Sequence, residues 1–150
     1  MAKGFKFKLE PVLRLRELKE EEIKNELGQV IGKINNKLEL IEKYKEEIRF
    51  YFNRYEQSES TRGELTSGLR QYMPEFLVSH YDKIKKCKSE ILDLEKSKSE
   101  LINNLAQAKG QVKIFSNLKE KKYQEFKKAY TSKLANEIEE FSILKGGKND

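Results

Sequence analysis

Between Leu77 and Phe115 the chain repeats in sevens. One seam carries Leu77, Ile84, Ile91, Lys98, Leu105 and Val112. A second, three residues on, carries His80, Cys87, Leu94, Leu101, Ala108 and Phe115. The register holds over more than five heptads. A repeat of 3.5 residues keeps one narrow stripe turned toward a partner helix, so a sustained one argues for a coiled coil. Its single charged member is Lys98. A lysine at such a position can fix register at some cost in stability. The plainer reading is a packed stem with the ammonium in water.

The partner lies upstream. From Val12 to about Gln57 the apolar residues again recur by threes and fours: Val12, Leu15 or Arg16, Ile23, Leu27, Val30, Ile34, Leu38, Ile41, Tyr44, Ile48, Tyr51 and Tyr55. A 4–4 step through Ile34 shifts this stripe locally. Gly28 and Gly32 interrupt it, each costing about 0.8–1.0 kcal/mol against Ala in a helix interior. The expected reason is close approach of a neighbouring helix or local softness. Pro11 suits a first helical turn. Residues 58–70 are rich in Ser, Thr and Gly and read as a polar turn. Pro74 then either marks a helix start near Glu75 or kinks a longer helix, which Met73 slightly favours by extending the seam backward.

The reading is all-α: two long helices in an antiparallel coiled-coil hairpin, the C-terminal one longer. Helix one is expected at about 11–57, the turn at about 58–70, helix two at about 71–143 and a tail at 144–150, all in a single domain. About 46 residues span roughly 70 Å and about 69 span roughly 100 Å, so about 20 residues of helix two should project past the start of helix one. That stretch still carries Phe126, Tyr130, Leu134, Ile138 and Phe141. It is a docking surface, unless residues 1–10 cover it or the end frays.

Composition matters here for what it excludes. Charged residues are 37% of the chain, against about 25% in ordinary domains, so a thin seam is expected rather than a wide core. The net charge of +6 rises gradually toward the C-terminus and implies only a mild liking for acidic surfaces. One cysteine, Cys87, permits no intrachain disulfide and fits a reducing compartment. No run is long and apolar enough to span a membrane, and nothing at the N-terminus reads as a signal peptide.

No phosphate-binding loop or nucleophile elbow is present. His80 and Cys87 lie one heptad apart in a seam, but two ligands make no closed metal site, and they read as seam fillers. No enzyme, cofactor or metal is expected. Three binding readings remain. Lysines interleaved with aromatics over residues 119–130 resemble single-strand nucleic-acid binders, although a solvated basic face explains them more simply. Phe5 and Phe7 with their lysines fit a membrane surface weakly. A protein-interaction rod is the default for this architecture, and no nucleic-acid partner is expected.

The opening segment narrows the choice. Phe5, Phe7, Leu9, Glu10, Val12, Leu13, Leu15, Arg16 and Glu17 resemble the N-terminal signature of the flagellar export protein FliJ family, Phe-x-Phe-x-Leu-Glu-x-Val-Leu-x-Leu-Arg followed by a Glu-rich turn. Leu118–Lys122 and Asn136–Phe141 also resemble the family's C-terminal end, with Ser142 where Ala is usual. The resemblance implies a cytoplasmic, non-catalytic accessory of flagellar type III protein export, peripheral to the inner membrane at the flagellar base. It implies a stalk-like coil in the pore of a hexameric export ATPase, a contact with the cytoplasmic linker of the export gate, and help in recycling export chaperones. By that resemblance Leu13, Arg14, Leu15, Arg16, Phe126, Tyr130, Ile138 and Phe141 would face the ATPase, and Tyr44 and Phe76 the gate. The alternative is the stalk of a virulence type III system or a generic coiled-coil scaffold.

Overall fold

A computed structural model describes residues 4–61 and 64–147. It contains helix α1, Glu10–Thr61, and helix α2, Glu64–Gly147, of 52 and 84 residues. The two form an antiparallel hairpin in which α2 is the longer. Cross-helix partners give the direction: Lys37, Glu47 and Tyr51 on α1 meet Glu90, His80 and Phe76 on α2, so one series rises as the other falls.

The helices run further than local signals suggest. Residues 58–61 and 64–70, expected in a turn, are helical, and the join at 62–63 lies outside the described residues. Pro74 sits inside α2 rather than at its start. It removes one backbone donor, and the helix continues on both sides; propensity is a weak prior that continuation of a long helix overrides. Gly146 and Gly147 close α2 within its last turn, so only residues 148–150 of the expected tail lie outside the described residues.

Internal contacts divide the chain, expected as one domain, into two units. One is Ile23–Asn104, and the other joins Met1–Glu22 to Leu105–Asp150. Each therefore contains a length of both helices. In the first, Ile41, Ile48, Ile84 and Cys87 are buried together, with Tyr44, Phe52, Phe76, Leu77 and Ile91 packed around them. None of the large described side chains is fully enclosed, as befits a seam between two helices.

The seam on α2 is the heptad read from the sequence. Every seam position from Leu77 to Phe115 is buried or half-buried, Lys98 included. The seam on α1 differs from the expected stripe. Positions 13, 16, 20, 23, 27, 30, 34, 37, 41, 44 and 48 are all buried or half-buried, which is an unbroken 3–4 alternation. Lys37 occupies the place expected for Leu38, which is 48% exposed. The 4–4 step through Ile34 is therefore absent. Long charged side chains lay their stems in the seam and keep their heads in water, so a template counting only apolar residues passes over them. Gly28 and Gly32 are corrected as well: a Cβ at either would meet nothing within 4 Å. Of the two readings, close approach of a neighbouring helix is overturned by that open space, and local softness, with its helix-propensity cost, is the one left.

Candidate functional site

In the unit holding both chain ends, residues 4–9 form an arm ahead of α1. Gly4 takes a φ of +94°, a left-handed conformation that glycine adopts without penalty. Phe5 then packs edge-on to Tyr123 at 5.3 Å and against Phe126 at 5.6 Å. Phe7 and Leu9 line the same pocket with Leu118 and Lys122. The first α1 turn is tied down by Glu10, whose carboxylate lies 2.9 Å from the Lys119 ammonium. The alternation of Phe5 and Phe7 with lysines is thus a docking strap, its aromatic side turned to α2.

The strap ends at Phe126. Every described α2 residue from 127 to 146 is exposed. Tyr130 is 53% exposed, Ile138 65% and Phe141 64%, and Leu134, Ile143 and Leu144 are exposed as well. The arm therefore covers the start of the apolar stripe and leaves four to five turns of it bare.

The residues expected to face a partner at this end are sorted by these contacts. Leu13 is 4% exposed and belongs to the seam. Arg16 is half-buried, with its Nε enclosed and without a hydrogen-bond partner among the described residues. Arg14 is open to solvent, its side chain 75% exposed and only loosely paired with Glu10 at 3.8 Å. Leu15 is exposed, as is Ile114 on α2. Phe126 is packed by Phe5, whereas Tyr130, Ile138 and Phe141 are exposed on the bare stretch, where Tyr130 stacks along the helix on Phe126 at 6.4 Å and the Lys145 ammonium lies 5.8 Å over the Phe141 ring.

In the other unit, Tyr44 and Phe76 come together through a residue that was read only as filler. His80 is 7% exposed. Phe76 stacks on its ring at 4.0 Å and Tyr44 meets it edge-on at 5.7 Å. Tyr51 stacks on Phe76 from α1 at 4.4 Å. His80 Nε2 lies 2.6 Å from a Glu47 carboxylate oxygen across the helix pair. Beside this cluster an open groove is lined by Lys43, Glu46, Phe50 and Arg54, and Phe50 is 62% exposed. Glu47 escaped sequence reasoning. The signal that could have found it is the chain's sole histidine in the second seam, opposite a helix rich in glutamate.

Lys37 and Glu90 form a further short cross-helix contact in this unit, 2.6 Å. The hydrogen bond from Lys37 holds the Glu90 carboxyl below its usual range, and the same bond holds Lys37 above its own; partial desolvation opposes both.

Among the described residues no group of acidic, His or Cys side chains is placed to hold a metal ion. None of the described helices is long and apolar enough to cross a membrane. What the fold presents is surface: a bare apolar helix face in one unit and an aromatic cluster beside a groove in the other. Those are features of a helical-hairpin interaction protein. The model of one protein family, described as Flagellar FliJ protein, matches residues 5–149, and the chain belongs to that family. It is thereby a flagellar, export-related accessory protein. Neither curated proteins nor solved structures returned a match to it.

Proposed function

We propose that this chain is a stalk-like accessory of the flagellar type III export apparatus that binds the hexameric export ATPase and couples it to the export gate. The bare face of α2 carries the reading. Tyr130, Ile138 and Phe141 project from a helix whose neighbouring stretch is strapped down by the arm. Exposed apolar area of this kind marks an interaction site. Arg14 and Leu15 extend the ATPase surface, and Leu13, Arg16 and Phe126 hold it in shape from the seam. A helix pair about 20 Å across, from two diameters of 10–12 Å, fits a ring pore.

The gate contact is assigned to the cluster of Tyr44 and Phe76, where the groove beside Phe50 offers an aromatic and charged surface. Recycling of export chaperones is part of the same reading, as is a cytoplasmic place against the inner membrane at the flagellar base. The chain acts without chemistry of its own.

The test is a titration of the chain into the matching export ATPase, following ATP hydrolysis and complex mass together. Stimulation saturating near one chain per ring supports the stalk reading. Absence of both complex and stimulation removes it. Alanine at Arg14 and Arg16 should weaken the complex while helicity stays intact, and unchanged binding would count against those two residues.

A further inference from the structure

We infer that the arm is a releasable cover over the inner end of the bare stripe: in the free chain residues 4–9 hold a place that a partner takes when it docks, a device that rests on the stalk reading only for the identity of that partner. The stripe does not begin where it becomes bare. Leu118, Lys122, Phe126 and Tyr130 follow in steps of four, so each lies beside the next on the helix surface. Phe126 and Tyr130 are stacked at 6.4 Å, their rings 15° from parallel. They are one surface, of which Phe5 covers the first ring and leaves the second 53% exposed.

The cover is held by side chains alone. Among the described residues, the backbone bonds of the arm run forward into α1, from the Glu10 N–H to the Phe7 carbonyl and from the Leu13 N–H to the Leu9 carbonyl, and none crosses to α2. Lifting residues 4–6 therefore breaks no backbone bond to the surface beneath. The cover is also thin. Phe5 and Phe7 are only half-buried, and Lys6, Lys8 and Leu9 are exposed, whereas Leu13, one turn further on, is buried in the seam. A segment with few enclosed contacts opens at a lower free energy than the fold as a whole.

A partner laid along the stripe from Phe141 inward meets the arm at Phe126. If it displaces Phe5, its contact continues without a break from Tyr130 to Leu118, roughly three further turns. The closed arm acts as an internal competitor, and apparent affinity is lowered by the fraction of chains that are open. Two ring contacts of ordinary strength make that factor about 5-fold or more. One cover replaces another over residues 118–126, so amide protection there changes little on docking.

The chain contains no tryptophan, so Phe5→Trp places a single reporter in the full chain. In the free protein urea should shift its emission to the red well before far-UV ellipticity falls. An indole released only together with the helices overturns the inference. With the export ATPase, the Phe5→Ala chain should bind about 5-fold more tightly than wild type, and the Phe5→Trp emission should move to the red on saturation. Equal or weaker binding of Phe5→Ala, or an indole that stays docked in the complex, overturns the inference. Phe5 lies outside both helices, so these variants keep the fold. If wild type and Phe5→Ala both fail to bind the ATPase, the stalk reading falls, and release in urea still decides the cover.

Discussion

The two units use one helix-pair grammar for different ends. In Ile23–Asn104 the apolar and aromatic residues find partners within the chain: Ile41, Ile48, Ile84 and Cys87 enclose one another, and Phe76 lies between Tyr51 and His80. In the unit with both chain ends, pairing stops at Phe126 while the apolar stripe goes on through Tyr130, Leu134, Ile138 and Phe141. A helix keeps its pattern past its internal partner when the remaining face is meant for something else. Stability should therefore reside in the first unit and recognition in the bare part of the second.

Truncation breaks or sharpens this contrast most directly. Ile48→Ala, in the enclosed cluster, should cost about 2–4 kcal/mol, the range for deleting a buried aliphatic side chain. Ile138→Ala should stay within about 0.5 kcal/mol, as for exposed positions. Chemical denaturation measures both, and equal losses would erase the distinction. Next is the strap. Phe5→Ala removes two ring contacts, worth about 0.5–1.5 kcal/mol each beyond area burial. It should free Lys119 and Tyr123 to solvent, visible as faster amide exchange at the start of α1, with no change around His80.

The glycines give a gain of similar size. Gly28→Ala and Gly32→Ala meet open space and should each stabilise the chain by about 0.8–1.0 kcal/mol. A loss instead would mean a neighbour closer than the structure has it. The smallest effect is the Lys37–Glu90 pair, which is solvent-facing. Glu90 is held below its ordinary range, so its contribution is present above that range and disappears as pH falls through its lowered titration. Lys37 is held above its own range, so the same contribution is lost at the alkaline end as pH rises through the raised one. Glu90→Gln should therefore lower the melting temperature slightly at neutral pH and leave it unchanged in strong acid.

Much of the fold was legible because α2 repeats its seam so many times that single exceptions do not matter: Lys98 fits where its heptad puts it. The α1 seam was legible only in part. Of the pair left open in the stripe, Arg16 takes the seam and Leu15 points outward; Glu20 and Lys37 fill seam positions with alkyl stems, whereas Leu38, expected there, points outward. Hydrophobicity alone cannot rank a lysine stem against a leucine when the register decides. The bare stripe beyond Phe126 was visible as a length mismatch between two helices. Its inner limit was not, because nothing in Phe5 or Phe7 says how far along α2 a short arm reaches. The Glu47–His80 contact was hidden for a related reason: a polar pair across two helices leaves no periodic trace in either.

Amide hydrogen exchange on the full chain, alone and with the export ATPase, tests the central claim most directly. In the free chain residues 41–48 and 80–91 should exchange slowly and residues 130–144 quickly. Adding the ATPase should slow exchange at 130–144 while leaving the middle as it was. Protection at 130–144 in the free chain, or protection by the ATPase that falls elsewhere, would contradict the division between a self-sufficient middle and a bare end made for a partner.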